Sequence, residues 1–405
     1  MSEATCPFCN PTTDEWIILE TPYARAIADI RPVIVGHVLV TSTEHAPSAL
    51  DLDEVGYLGL RLVQQEISRR IWAANGEVGA YEHGRSMLCR FHDHNRGVVH
   101  AHVHVLPASF NLGAGSQISL SPHPPTYLSS ENDRYLYQET GQRPVEMWAT
   151  GKLPIFRHFV RKQFQESLNE RGLAWRPLEL SPDDHEDAAE STKALLSCSD
   201  RLNGKIRALA LFGTDSGALK GIAQSLRKRI RWPIVDSELS LRFLAWLSLK
   251  YSETDTQALL DRAAIAFSTG LAAHVQCSSD EPIDPQMRFD SQVLGAELLD
   301  PQLMQAVRRL EQENIRKRIW RVIEIELERT ASILIANDSD EPNLPRIALR
   351  VYLSDRNKTN GNLVDVGLAR PTWNDVRLIL DQTKAEDVAK LIIEAWQLRY
   401  GPAPL

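Results

Sequence analysis

Residues 98–107 read VVHAHVHVLP, with histidines at positions 100, 102 and 104. On a strand, successive side chains point to opposite faces, so His100, His102 and His104 line one face while Val99, Ala101, Val103 and Val105 line the core face. Each charged imidazole in such a row raises the cost of charging its neighbours, so the row suits chemistry better than packing. Two chemistries fit. The histidines could be ligands of a catalytic metal that keeps an open position for water. Alternatively, one imidazole is a nucleophile whose neighbours position it and bind phosphate oxygens.

A second group bears on that choice. CPFC at residues 6–9 gives Cys6 and Cys9 the spacing that lets two thiolates grip one ion. Two thiolates and two histidines would close a tetrahedral zinc site, making that metal structural and leaving other histidines for chemistry. The elements that must position these residues are short. EWIILE, ARAIADI and GHVLVTS read as strands separated by turn signals. Leu60, Val63, Ile67 and Ile71 recur at helical spacing and predict an amphipathic helix from Asp53 to Ala74. The histidine stretch is the last clear strand, Pro107 ends it, and a second helix is expected over Pro154 to Arg171. Antiparallel strands with a few helices make an α+β domain.

The pattern His-φ-His-φ-His-φ-φ, with φ apolar, is the signature of the histidine triad (HIT) hydrolases and transferases, and HAHVHVL satisfies every position. CPFC is similar to the zinc pair near the start of many such proteins, and DIRPVIVGHVLVTSTEH resembles their strand–turn–strand segment ending in a zinc-ligand histidine. The resemblance runs from Cys6 to Pro107 and weakens toward Leu178. It implies a structural zinc held by Cys6, Cys9, His45 and His100. It makes His102 the nucleophile that forms a nucleotidyl-histidine, and gives His104 a hydrogen bond to the phosphate or leaving group. Asp29 and Ile30 would contact the ribose and flank the base. Many HIT proteins carry Asn-x-Gly and then Gly-Gln-Ser or Gly-Gln-Thr before the triad. Here Glu82, His83 and Gly84 stand at the first position, and Asn95, Arg96 and Gly97 at the second. The assisting hydroxyl is missing, Arg96 is the candidate phosphate ligand in its place, and His83, His92 and His94 receive no role. A nucleotide substrate and a homodimer are further implications of the resemblance.

Ten of the twelve histidines lie before residue 160, and the pattern changes across the stretch from Pro177 to Asp200. Prolines, acids and small polar residues between Pro177 and Asp200 place a linker at 179–203, between a HIT-like domain at 1–178 and a second domain at 204–405. Strands such as IRALALF, SILIAND, RIALRVYLS and VRLILDQ alternate with helical segments, which predicts a parallel α/β sheet. Thr383 to Glu386 forms a capping-box pattern before the last helix. ALFGTDSGALKGIAQSL followed by PIVD resembles the P-loop of cytidylate-kinase-like proteins. That loop is degenerate: the lysine position of G-x-x-x-x-G-K-[ST] falls on Leu219, Lys220 follows, and Gly221 replaces the hydroxyl residue. Without those groups, phosphoryl transfer from ATP loses two main contributors.

A chain of 405 residues with 43% hydrophobic and 24% charged residues fits two ordinary globular domains. Its net charge of -8 argues against broad binding to nucleic acid or anionic lipid. No window approaches the roughly 18 apolar residues of a membrane span. No secretory leader is apparent and five cysteines are unpaired by pattern, so the expected compartment is the cytoplasm.

Overall fold

The computed structural model describes residues 6, 8–9, 16–29, 32–85, 89–90, 97–112, 118–122, 125, 133–141, 144–150, 159–170, 182–196, 208–213, 215–230, 232–269, 272–275, 286–289, 292–294, 296–312, 315–327, 332–336, 347–355, 372, 374–380 and 383–400.

The first half is built on one antiparallel sheet. Its strands are β1 (Ile17–Glu20), β2 (Ala24–Ala28), β3 (Val38–Ser42), β4 (Gly79–Gly84), β7 (His102–Leu106), β8 (Tyr135–Thr140) and β9 (Val145–Thr150), in the order β1-β2-β3-β7-β4-β8-β9. A separate two-stranded ribbon, β5 (Cys89–Arg90) with β6 (Gly97–Val98), precedes the histidine strand. The hairpin β8–β9 corrects the expectation that the histidine stretch is the last strand of this half. All but the last residue of β8 are buried or nearly so, giving a continuous run in place of an apolar–polar alternation, and Gly141 turns the hairpin at φ 104°.

Helix α1 (Glu54–Asn75) follows the predicted span, capped by the Asp53 carboxylate on the Gly56 N–H at 2.6 Å. Leu60, Val63, Ile67 and Ile71 pack on the core face of the sheet with Val103 and Val105 of β7. The helix is not amphipathic in the expected sense, because its other side is buried too. Leu58 and Leu62 enter a second core with Leu226, Val388 and Ile392 from the far half of the chain. Helices α2 (Phe159–Glu170) and α3 (Pro182–Leu196) follow. The latter lies within the stretch read as a linker, and its Thr192 hydroxyl accepts the Gly36 N–H at 2.7 Å.

The second half carries a five-stranded parallel sheet, as the alternating pattern predicts. Its strands are β10 (Ala208–Gly213), β11 (Ile234–Asp236), β15 (Ser332–Ala336), β16 (Ile347–Asp355) and β17 (Val376–Leu380), in the order β11-β15-β10-β16-β17. Helices α4 (Ser216–Ile230) and α9 (Ala385–Tyr400) cover the face toward α1. The opposite face packs on α5 (Ser237–Tyr251), α6 (Thr256–Thr269), α7 (Pro301–Gln312) and α8 (Ile315–Leu327), with a small meander of β12 (Ala272–Val275), β13 (Gln286–Phe289) and β14 (Gln292–Leu294). The Thr383 hydroxyl ahead of α9 donates to Glu54 at the start of α1. Among the described residues no helix is long and apolar enough to cross a membrane.

Candidate active site and metal centre

Strand β7 lies between β3 and β4, and register dictates what meets the histidine row. Thr41 pairs with His102 and Leu39 with His104 on one side, and Tyr81 pairs with His104 on the other. His83, two residues beyond Tyr81 on the same face, therefore comes beside His102, with ring centroids 5.4 Å apart. His100, His102 and His104 are all buried, on the face away from α1.

The three histidines of the row do not share one ion-sized cluster. The ligand atom of His100 gathers with those of Cys6, Cys9 and His45, all within 4.8 Å of one another. Cys9 Sγ lies 3.1 Å from His45 Nδ1, and His100 Nδ1 lies 3.4 Å from Cys6 Sγ and 3.3 Å from His45 Nδ1. At the far edge of its ring, His100 Nε2 donates to the Ser42 carbonyl at 2.8 Å, which fixes the tautomer with Nδ1 as the ligating nitrogen. Burial pushes the His100 imidazole down to about 4, so it is neutral at neutral pH, the form that can ligate a metal. Two thiols and two nitrogens in a partly buried pocket are the donor set of a closed tetrahedral zinc site, and the residues fit it.

His102 has a different setting. Its Nδ1–H donates to the His100 carbonyl at 2.6 Å, an acceptor that can only accept, so Nε2 is the basic nitrogen. The Phe8 ring lies 5.6 Å from the His102 ring, centroid to centroid. His104 is held by a chain that the sequence reading missed. Asp29 Oδ2 lies 3.0 Å from His37 Nδ1, and His37 Nε2 lies 3.0 Å from His104 Nδ1. The Val33 N–H also approaches His37 Nδ1, at 3.4 Å, but the closer and charged carboxylate sets the proton on that nitrogen. His37 Nε2 then accepts from His104 Nδ1–H, which makes Nε2 the basic nitrogen of His104 as well. His37 is held at the mouth of β3 by the Gly36 turn, whose φ of 95° favours glycine and where a Cβ would press on Pro107 at 3.2 Å.

Of the residues singled out in the sequence, the structure brings Cys6, Cys9, His45 and His100 together, and places His102, His104 and Asp29 along the adjoining stretch. Ile30 and Arg96 lie outside the described residues. His37 stands in the quoted segment GHVLVTS, on the same strand face as Leu39 and Thr41, and only the pairing of β3 with β7 brings it to position 104. In the second half the helix end expected to cradle phosphate is already filled. The Asp215 carboxylate accepts the N–H groups of Gly217 and Ala218, each at 3.0 Å, and Lys220 Nζ lies 3.9 Å from Asp236 Oδ2.

No family model matches the chain. Over 113 residues it is 30% identical to an uncharacterized HIT-like protein of Borreliella burgdorferi, a stretch covering 27% of this chain and 80% of that one. A solved hypothetical histidine triad nucleotide-binding protein of Sulfolobus tokodaii strain7 matches 47% of this chain and 91% of its own at 18% identity, with a TM-score of 0.24. A Hit-like protein of Bartonella henselae, described as involved in cell-cycle regulation, matches 45% and 86% at 14% identity, with a TM-score of 0.22. Through its N-terminal part, the chain belongs to the HIT-like family.

Proposed function

We propose that this protein is a HIT-type hydrolase or nucleotidyl transferase. It acts at the α-phosphorus of adenylated compounds such as dinucleoside polyphosphates or nucleoside phosphoramidates. The observation that carries this reading is the tautomer of His102: with Nδ1–H bound to the His100 carbonyl at 2.6 Å, the lone pair sits on Nε2. In the first step Nε2 bonds to the α-phosphorus and the bond to the leaving group breaks, with His104 Nε2, once it has taken a proton from solvent, donating that proton to the departing group. In the second step water or another acceptor takes the nucleotidyl group and His102 is regenerated. Asp29 keeps its expected place at the ribose as part of the proposal, and its contact with His37 also links it to His104. Ile30 and Arg96 keep their expected roles at the base and the phosphate as part of the proposal. Zinc on Cys6, Cys9, His45 and His100 would supply structural cross-linking between the N-terminal segment, the loop after β3 and the histidine row.

For the second half we infer a kinase-like α/β unit without phosphoryl transfer. The capped start of α4 and the absence of a hydroxyl at Gly221 support that reading. A homodimer and a cytoplasmic location remain part of the proposal. Incubation with a panel of adenylated compounds should release AMP, and His102→Ala should slow release by about 10³-fold or more. Intact-protein mass measurement should detect an AMP adduct that this variant lacks. Unchanged release by His102→Ala would overturn the reading.

A further inference from the structure

We propose that His83 is a further phosphate-contacting residue of this site, donating a hydrogen bond to a non-bridging oxygen of the α-phosphoryl group held at His102. The inference rests on the reading of His102 Nε2 as the nucleophile. His83 is buried on the histidine-bearing face of β4, with its ring centroid 5.4 Å from that of His102 and 5.6 Å from that of His104. One ring nitrogen of each of the three residues lies within 4.8 Å of those of the other two. A phosphoryl group bonded to His102 Nε2 projects its free oxygens into the space among these rings, where an N–H donor meets them at the ordinary range of about 3 Å. His104 follows His102 on the same strand and serves the leaving group, whereas His83 comes from the neighbouring strand, so the two reach different oxygens. A neutral imidazole carries its N–H on either ring nitrogen, and His83 therefore donates without first taking up a proton.

The residues on either side of His83 are locked in place. The Glu82 carboxylate, buried on the opposite face of β4, accepts the Ala49 N–H at 2.8 Å, the Tyr135 hydroxyl at 2.7 Å and the Arg61 guanidinium at 3.3 Å. Arg85 holds a φ of 56°, a left-handed conformation that residues with a side chain seldom adopt, and its Nε donates to the two Asp51 carboxylate oxygens at 3.0 and 2.9 Å. Both anchors end on the short 3-10 helix Ala49–Asp51, which clamps the end of β4 from two sides. A donor carried on so fixed a backbone needs no reorganisation as the phosphoryl group passes onto His102, which is the condition for electrostatic stabilisation at a reacting centre. A ring kept for packing alone would be replaced at no loss by an apolar one, and that substitution is the discriminating one.

The test uses AMP and adenosine as calorimetric probes of the full chain, since the phosphate is all that distinguishes them. Wild type should bind AMP more tightly than adenosine. His83→Phe, which keeps a ring and removes the donor, should cut that preference by at least about 10-fold with adenosine binding unchanged, and His83→Leu should do the same. His83→Gln, whose amide keeps an N–H, should retain part of the preference. No preference for AMP in wild type, an undiminished preference in the two apolar variants, or a loss in His83→Gln as large as that in His83→Phe would each overturn the contact. Binding is read without turnover. Failure of wild type to release AMP from adenylated compounds would sink the proposed activity and leave the phosphate contact standing, whereas an undiminished preference in the variants would sink the contact and leave the activity standing.

Discussion

At the scale of single residues, the site depends on which nitrogen of each ring carries the proton, and backbone carbonyls and one carboxylate set that. His37 is the informative position, since it touches His104 at 3.0 Å and reaches the proposed reacting atoms only through it. His37→Asn should lower kcat by about 10- to 10²-fold with little change in KM, and should shift the acid limb of the kcat–pH profile. His37→Gln, which keeps an acceptor near Nε2, should recover part of the loss. A wild-type rate and profile in His37→Asn would show that the relay plays no part. The row itself was legible because alternation on a strand is a strict rule, and so was the cysteine pair. His37 and His83 were not assigned, because a strand pattern says which face a side chain takes and not which neighbouring strand lies beside it. Register across β3 and β4 supplied that.

At the scale of elements, α1 explains the arrangement better than the sheet it packs on. Its sequence periodicity marked one apolar face, and part of the remaining surface, beside Leu58 and Leu62, is buried through charge. Glu66 accepts from Arg69 at 2.9 and 3.0 Å, from Arg70 at 2.9 Å and from Arg399 of α9 at 3.3 Å. Arg70 also donates to the carbonyls of Leu196 in α3 and Leu398 in α9, at 2.5 and 2.7 Å. Burial alone would raise the Glu66 carboxyl, but the Arg69 hydrogen bond and the charges of Arg399, Arg69 and Arg70 outweigh it and hold it at about 2. Its folded value lies below the unfolded one, so its contribution is present above about pH 4.5 and is lost as pH falls toward 2. The shift corresponds to about 3 kcal/mol. Glu66→Gln should therefore cost on the order of 3–5 kcal/mol at pH 7 in urea unfolding, with the difference from wild type shrinking below pH 4. An equal difference at both pH values would mean that packing, not charge, carries the effect.

The same helix pair holds a group of opposite sign behaviour. Glu394 on α9 has Oε2 buried with no hydrogen-bond partner among the described residues, and burial raises its carboxyl to about 7. A raised folded value means that the protein is relatively more stable while the carboxyl is protonated and loses that advantage as pH rises through 7. Glu394→Gln should raise Tm at pH 8 by a measurable margin and by less at pH 5. A lower Tm for the variant at pH 8 would contradict the assignment.

At the scale of the whole molecule, the described residues of the first half form an antiparallel sheet and those of the second a parallel one, and α1 contributes to a core with the second. The parallel sheet was legible because continuous apolar strands alternating with helices have few other folds open to them. What joins it to the first half was not, because the contacts are between residues far apart in the chain. Gln65 of α1 bonds both ways to the backbone of Arg377 in β17, donating to its carbonyl at 2.9 Å and accepting its N–H at 2.8 Å. The Arg377 side chain is buried in an ion pair with Glu139 of β8, and Glu139 also accepts from Gln64 at 2.6 Å and from Tyr137. With Leu58 and Leu62 added from α1, the second core cannot close without the first half. Calorimetry of the full chain should accordingly give one unfolding transition. Arg377→Met should lower the whole of it, by about 3–5 kcal/mol at neutral pH, because it leaves the Glu139 carboxylate buried without its cation. Pairing that change with Glu139→Gln should recover much of the loss, since the second substitution removes the orphaned charge. Two resolved transitions in wild type, with only the later one moved by Arg377→Met, would show that the halves fold independently and that the buried pair is a contact between finished domains.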